Sequence, residues 1–249
     1  MNMMRFVPNI ITCLNLFCGC LSIVCVFNGR LDVAAYLILV AAVFDFLDGL
    51  AARLLKAYSD MGKQLDSLAD VVSFGVAPAS VMYILLLNTV NYQLSSINYI
   101  APAAYLIAVF SAIRLAKFNI DVRQSDTFIG LPTPANAIFI CSLVFISLGD
   151  NQLSLLTENI FFLLAVTVIF SYLLISELPL FSLKFKTFDW KSNKLRYFFV
   201  AFSITVLLIL HLAGLALVIL AYIVLSLFDY FLILKRKSLL SGKKINGLA

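Results

Sequence analysis

Charged residues are scarce in this chain of 249 residues. Asp, Glu, Lys and Arg make up 12% of it, whereas 63% of the residues are hydrophobic and the mean hydropathy is +1.03. Soluble globular domains carry about 25% charged residues. The shortage of charge therefore excludes an ordinary soluble fold, and the excess of apolar residues predicts a membrane protein.

Histidine and long polar stretches are scarce as well. We expect the single histidine, His211, to be an interfacial residue and not a ligand. The chain shows no soluble domain, long linker or internal repeat. The five cysteines fall within apolar stretches, so we expect small buried hydrophobic residues there, not disulfides or metal ligands. These are Cys13, Cys18, Cys20, Cys25 and Cys141.

Apolar stretches long enough to cross a bilayer recur along the chain. A transmembrane helix needs about 20 residues. We therefore predict an all-α integral membrane protein with about eight transmembrane helices. The predicted spans are roughly 6–28, 32–55, 66–87, 97–118, 132–149, 157–176, 197–212 and 214–234.

The basic residues predict the orientation of these helices. With a cytoplasmic N-terminus, all 18 Lys and Arg residues except Arg30 fall on the cytoplasmic side. The positive-inside rule then predicts a multi-pass protein of the cell membrane with both termini in the cytoplasm. The net charge of +5 is explained by this asymmetry and by attraction to anionic lipid, and no nucleic-acid partner is expected.

One polar interruption divides the chain. Residues 177–196 contain Pro179, Trp190 and five basic residues, which suits an interfacial segment on the inner leaflet. We predict a six-helix transmembrane core over 1–180 and a basic cytoplasmic or interfacial segment over 181–196. Two additional helices and a basic cytoplasmic tail would then occupy 197–249.

Four aspartates interrupt the predicted second and third helices. An isolated carboxylate in hydrocarbon is so costly that an intramembrane acid indicates a function and a partner. Helical periodicity places two of them on one stripe of each helix, and the turn between the helices is short. We therefore expect the stripes to face each other near the cytoplasmic third of the membrane. They are Asp45, Asp48, Gly49 and Ala52 on the second helix and Gly62, Asp66, Asp70, Ser73 and Ala77 on the third.

Four converging anions need compensation, which bound divalent cations would supply. Oxygen ligands without His or Cys favour Mg²⁺, Mn²⁺ or Ca²⁺ over Zn²⁺. Such a site, with the cation of Arg53 and small residues beside it, suits a pyrophosphate or phosphate diester. Pairing of the acids with Arg53, Lys56 and Lys63 is an alternative, but three cations neutralise four buried anions poorly. An ion-coupled transporter is a second alternative, although no inverted repeat or broken helix pair is present.

The acidic motif resembles the signature of the CDP-alcohol phosphatidyltransferase family. It reads D-F-L-D-G-L-A-A-R from Asp45 to Arg53, followed by Gly62, Asp66 and Asp70 at the family's spacing. The resemblance implies an enzyme with a six-helix catalytic core that displaces CMP from a CDP-activated lipid. It also implies a homodimer.

The family resemblance assigns roles to individual residues. It implies that Asp45, Asp48, Asp66 and Asp70 hold two divalent cations, Mg²⁺ or Mn²⁺ with Ca²⁺ as a possible occupant, and that Asp70 is the general base. The CDP-lipid would be bound by the motif residues Asp48, Gly49, Ala52, Arg53 and Gly62, with Asn9 and Thr12 of the first helix near the cytidine.

Three further segments are similar to the membrane-bound phosphatidylserine synthases of this family. They are L-D-S-L-A-D-V-V-S-F-G-V-A-P-A at 65–79, R-L-A-K-F-N at 114–119 and F-I-G-L-P-T-P-A-N at 128–136. The resemblance implies transfer of a phosphatidyl group from CDP-diacylglycerol to L-serine.

The residues themselves agree with a zwitterionic acceptor. Arg114 and Lys117, at i and i+3, offer cations for a carboxylate, and Thr133 and Asn136 offer hydrogen bonds. Snorkelling of Arg114 and Lys117 to the inner headgroups is the alternative. Other acceptors of the family are glycerol phosphate, inositol phosphate and choline. Phosphorylated acceptors would need a denser basic cluster than Arg114, Lys117 and Arg123 provide.

Overall fold

The computed structural model describes residues 6–93, 99–120, 128–149, 152–180 and 189–245. They form α1 (Phe6–Phe27), α2 (Leu31–Leu54), α3 (Asp60–Asp70), a π-helical turn (Val71–Val76), α4 (Ala77–Gln93), a 3₁₀ turn (Ala101–Tyr105), α5 (Leu106–Ile120), β1 (Phe128–Ile129), α6 (Thr133–Ser147), α7 (Ser154–Thr157), α8 (Ile160–Ile175), β2 (Pro179–Leu180), α9 (Trp190–Leu210), a 3₁₀ turn (His211–Gly214) and α10 (Leu215–Ile245).

Each of the eight predicted spans coincides with a helix, and the all-α membrane fold is confirmed. Within the part of the chain that the structure describes, five segments are long and apolar enough to cross a membrane: Phe6–Phe27, Leu31–Leu54, Asp60–Thr89, Ala101–Ile120 and Asn193–Phe231. The last contains both α9 and α10. The remaining predicted spans correspond to the shorter apolar helices α6 and α8.

Two helical hairpins form the first and last parts of the described chain. In the first, α1 and α2 run antiparallel, with Ser22 Oγ donating to Ala34 O at 2.9 Å. In the second, α9 and α10 reverse direction at the turn containing the exposed His211, and the rings of Phe199 and Tyr222 lie 6.0 Å apart. Of the five spans, Asp60–Thr89 is the most buried. About 67% of its apolar stretch lies inside the protein, against 17–28% for the other four spans. This central span carries two of the four aspartates.

The third helix begins at Asp60, earlier than the residue 66 predicted from apolarity. Ser59 caps it, since its Oγ accepts a hydrogen bond from Gly62 N at 3.0 Å. Side-chain capping extends a helix into polar sequence that hydropathy alone assigns to a turn.

A π-helical turn joins α3 to α4 directly after Asp70. The backbone N–H of Ala77 bonds to Val72 O, five residues back. Pro78 follows, and a proline ring clashes with the carbonyl four residues earlier in an ordinary α-helix. The wider π turn relieves this clash, and such turns are frequent at functional sites.

Two details differ from the sequence-based expectation. A two-residue antiparallel pair, Phe128 with Leu180 and Ile129 with Pro179, joins the chain before α6 to the chain after α8. Cys18 and Cys141 are buried as predicted, but Cys13 and Cys20 are exposed, because they lie on the outer side of α1.

Several predictions concern positions outside the described residues. Residues 181–188 of the predicted basic segment are among them, as are Arg5 and Arg123; the side chains of the basic tail are not described either. The rest of the segment lies at the start of α9, which has a kink at Asn193.

Candidate active site

Three carboxylates from two helices converge as the facing stripes predict. Asp45 and Asp48 on α2 and Asp66 on α3 each place an oxygen within 4.8 Å of the others. Asp70, one turn further along α3, is buried and faces Asp45 and Asp66. The antiparallel arrangement of α2 and α3 therefore creates one region of concentrated negative charge.

No described lysine or arginine forms a direct ion pair with these four acids. Arg53 Nε instead donates to Gly49 O at 2.9 Å, and Lys63 Nζ donates to Asn119 O at 3.2 Å. The alternative in which Arg53, Lys56 and Lys63 neutralise the cluster is therefore not what the structure shows. In addition, Asp66 Oδ1 is buried without a hydrogen-bond partner. Clustered carboxylates with an unpartnered oxygen fit a divalent cation.

A cavity of about 860 Å³ opens beside the acidic cluster. All seven residues predicted to bind the CDP-lipid line it: Asn9, Thr12, Asp48, Gly49, Ala52, Arg53 and Gly62. Asp66 also lines it, so the cavity borders the carboxylates. Its volume is within the range of small-molecule and cofactor sites, about 300–1,000 Å³.

The first helix holds one side of this cavity. Thr12 Oγ1 lies 2.7 Å from Asp48 Oδ2 and 3.0 Å from Pro8 O. Gly62 lies so close to α1 that an added Cβ would come within 3.0 Å of Asn9 Oδ1. A side chain at position 62 would therefore have to displace the side chains of Asn9 and Ser59, which both face it.

Part of the cavity lining was not predicted from the sequence. Tyr58, Ser59 and Lys63 also border it, from the turn and the first part of α3. These residues could have been found from Ser59, a residue type that favours helix N-caps. A helix that begins after Ser59 places Lys63 in its first turns instead of in a loop.

A second polar group lies around Arg114, which is buried on α5 with only 8% of its surface exposed. Its Nη1 donates to Thr133 Oγ1 at 3.4 Å, and its guanidinium lies 5.7 Å from the Phe118 ring centre. It also interacts electrostatically with Asp70 and Asp45. The structure therefore brings Arg114 to the acidic cluster, and its burial contradicts snorkelling to the headgroups.

Unpartnered polar atoms make this second group a candidate binding site. Asn136, one turn after Thr133, is completely buried, and neither atom of its amide has a hydrogen-bond partner; Arg114 Nε also has none. Buried polar atoms in folded proteins nearly always have partners. Lys117, in contrast, is exposed at the end of α5, so the structure does not place it in the buried part of the site.

Two further residues of this region were not predicted. Tyr222 of α10 is buried and interacts with Arg114. Asn15 of α1 is completely buried, with its Nδ2 3.4 Å from Asp70 Oδ1. Asn15 lies one turn after Thr12, so extending the polar face of α1 would have found it. Nothing in the apolar sequence around Tyr222 distinguishes it.

The sequence of the chain is similar to a known protein family and to several known proteins. Residues 5–176 match the family model described as CDP-alcohol phosphatidyltransferase. The chain is 36% identical over 182 residues to the CDP-diacylglycerol–serine O-phosphatidyltransferase of Helicobacter pylori, covering 71% of this chain and 72% of the relative. It is 37% identical over 175 residues to the Bacillus subtilis protein of that name, covering 70% and 89%. It is also 38% identical over 137 residues to the archaetidylserine synthase of Methanothermobacter thermautotrophicus, covering 54% and 56%.

Proposed function

Because the chain belongs to the CDP-alcohol phosphatidyltransferase family, we propose that it transfers a phosphatidyl group from CDP-diacylglycerol to L-serine, giving phosphatidylserine and CMP. One observation carries the proposal beyond the family. A cluster of acids without ion-pair partners lies between a cavity that suits a nucleotide and a buried guanidinium that suits a carboxylate. Membership of this enzyme family also removes the transporter alternative.

The acids are the proposed metal ligands. Asp45, Asp48 and Asp66 would hold divalent cations, with Asp70 beside them, and an all-oxygen donor set fits Mg²⁺ or Mn²⁺. Two cations, as the family resemblance implies, would offset the phosphate charge and stabilise the departing CMP.

The CDP-lipid is bound by the residues that line the cavity. Asn9 and Thr12 on α1 lie at the proposed cytidine end, and Arg53 offers a cation for the phosphates. The open space beside Gly49, where an added Cβ would have only Arg53 Nη2 within 4 Å, at 3.9 Å, leaves room for a phosphate group. The small side chain of Ala52 leaves room as well.

The acceptor is held on the other side of the acids. Arg114 binds the serine carboxylate, and Thr133 and Asn136 hydrogen-bond to its polar groups. Asp70 takes the hydroxyl proton as the serine oxygen bonds to the lipid-linked phosphorus and the bond from that phosphorus to the CMP oxygen breaks. Lys117, which is exposed, would add positive charge at the rim of the site.

The cellular setting belongs to the same proposal. The structure has the long apolar helices of a membrane protein. All Lys and Arg residues except Arg30 fall on one predicted side of the membrane. This asymmetry supports a cytoplasmic active site and cytoplasmic termini in the cell membrane. We also propose the division into a catalytic core over 1–180, an interfacial segment over 181–196 and a C-terminal pair of helices over 197–249. The homodimer rests on family resemblance.

An acceptor panel tests the function. Purified protein is supplied with CDP-diacylglycerol, Mg²⁺ or Mn²⁺, and either L-serine, glycerol 3-phosphate, inositol phosphate or choline, with CMP release as the readout. We expect serine to give the highest kcat/KM and EDTA to abolish release. A higher kcat/KM for glycerol 3-phosphate would contradict the proposal, and so would undiminished release in EDTA.

A further inference from the structure

Asn15 makes two hydrogen bonds at the junction of α3 and the π turn. Its Nδ2 donates to Asp70 Oδ1 at 3.4 Å, and its backbone oxygen accepts a hydrogen bond from Ser73 Oγ at 3.0 Å. Its side chain is completely buried, and its Oδ1 has no hydrogen-bond partner. One face of this amide therefore holds Asp70, and the other presents an unused acceptor.

Beside Asn15, α1 packs closely on the π turn. A Cβ added to Gly19, one turn beyond Asn15, would lie 2.8 Å from the Ser73 Cα and would overlap Ser73 Oγ. A glycine is therefore needed for α1 to pack directly on the π turn. This packing fixes the Asn15 backbone and places its side chain at the acidic cluster.

The orientation of the Asn15 amide follows from the charge of Asp70. Turning the amide over would point Oδ1 at a carboxylate, whereas the present orientation donates an N–H to it. Oδ1 is then the atom without a partner. Because buried acceptors nearly always receive a hydrogen bond, a bound molecule with a donor group is the expected partner.

The residues around Asp70 indicate which donor group of a bound molecule would reach Asn15 Oδ1. Asn15 approaches Asp70 from α1, and Arg114 interacts with it from α5. In an amino acid with a β-hydroxyl, the hydroxyl, ammonium and carboxylate groups lie within a few bonds of one another. Residues that bind these three groups must therefore lie near one another, and here Asn15 and Arg114 both approach the Asp70 carboxylate.

We propose that Asn15 determines specificity for the acceptor: Nδ2 holds Asp70 in position, and Oδ1 accepts a hydrogen bond from the acceptor's ammonium group. The inference rests on the proposed function and deepens it, since it assigns the amino group of the substrate to a residue of α1. Arg114 then selects for the carboxylate and Asn15 for the amine.

The test compares two acceptors that differ only in the amine. L-Serine and 3-hydroxypropanoate are assayed with wild type, Asn15→Leu and the control Ser22→Ala. Leucine has nearly the size of asparagine but neither donates nor accepts a hydrogen bond. Ser22 is a buried residue of the same helix that bonds to Ala34 O instead of the active site.

We expect Asn15→Leu to lower kcat for both acceptors, because Asp70 is no longer held. The ratio of kcat/KM for serine to that for 3-hydroxypropanoate should fall by about tenfold or more, the loss expected for a hydrogen bond to a charged group. The KM for CDP-diacylglycerol should stay within about twofold. Ser22→Ala should leave the ratio unchanged.

An equal loss for both acceptors would overturn the inference and leave the proposed function intact. A wild type that prefers a non-amino alcohol to serine would instead overturn the proposed function. If Asn15→Leu does not fold, as judged by thermal unfolding in detergent, Asn15→Ser is measured in its place. Its shorter side chain should give a smaller fall of the same ratio, and an unchanged ratio there would also overturn the inference.

Discussion

The four aspartates share a residue type but not their surroundings. Asp48 accepts a hydrogen bond from Thr12, Asp66 has an unpartnered buried oxygen, and Asp70 is held by Asn15. Asp45, on α2, interacts with Asp48 of the same helix and with Asp66 and Asp70 of α3. Substitutions at these positions should therefore give different kinetic effects, although all four carboxylates belong to one cluster.

Replacing Asp48 or Asp66 with Asn tests the metal site. The change keeps the side-chain size but removes a ligand charge, so kcat should fall by about 100-fold or more, and excess Mg²⁺ should restore little of it. CMP release is measured across a range of Mg²⁺ and Mn²⁺ concentrations.

Asp32→Asn is the matched control, because Asp32 lies on α2 with Asp48 but pairs with Arg30 at the opposite end of that helix. Its turnover should equal that of wild type. Wild-type turnover in Asp48→Asn or Asp66→Asn would exclude that residue as a metal ligand.

Asp70→Asn tests the general base. The amide cannot take the hydroxyl proton, so turnover should be lost while CDP-diacylglycerol still binds. Equilibrium binding of the labelled lipid and single-turnover CMP release separate the two steps. A wild-type maximal rate would remove Asp70 from this role.

Arg114→Gln tests recognition of the serine carboxylate. A hydrogen bond to a charged group contributes about 1.5–3 kcal/mol, so the KM for serine should rise about 10- to 150-fold. The KM for CDP-diacylglycerol should barely change. Steady-state kinetics on both substrates measure this, and a rise confined to CDP-diacylglycerol would contradict the assignment.

Two comparison variants accompany this measurement. Arg30→Gln removes an exposed arginine from the turn between α1 and α2 and should change neither constant. Lys117→Gln should raise the serine KM less than Arg114→Gln does, since Lys117 is exposed and an exposed ion pair contributes little.

At the scale of helices, the sequence predicted what depends on periodicity and missed what depends on local geometry. The facing stripes brought Asp45, Asp48 and Asp66 together as expected. The π turn after Asp70 was not predicted, because its residues, V-V-S-F-G-V at Val71–Val76, are mostly apolar and show no polar face whose shift would reveal an extra residue. The two-residue strand pair was missed because its pairing joins residues about 50 positions apart.

Gly19→Val tests the packing of α1 on the π turn. The larger side chain would overlap Ser73, and overpacking typically costs about 1–3 kcal/mol. We expect a lower midpoint of thermal unfolding in detergent and lower turnover, because Asn15 moves with the helix. The neighbouring Cys20 is exposed, so Cys20→Val should be tolerated. Equal unfolding midpoints for the two variants would show that the contact is not tight.

At the scale of the whole molecule, the last hairpin lies outside the family match yet reaches the site. The match ends at residue 176, just after α8. α10 packs against α6, which carries Thr133 and Asn136. Tyr222 on α10 then interacts with Arg114. The sequence predicted two additional helices here and no site residue, since one tyrosine in an apolar run has no distinctive pattern.

Tyr222→Phe tests whether the hairpin contributes to acceptor binding. The ring contact with Phe199 is kept, so the fold should be unaffected, but the hydroxyl near Arg114 is lost. A polar contact of the strength of one net hydrogen bond contributes about 0.5–1.5 kcal/mol, so its loss should raise the serine KM about two- to tenfold. Tyr172 on α8 is exposed, and Tyr172→Phe is the control. If the two variants give the same serine KM, α9 and α10 act as structural support alone, whereas a rise specific to Tyr222→Phe makes the hairpin part of the acceptor site.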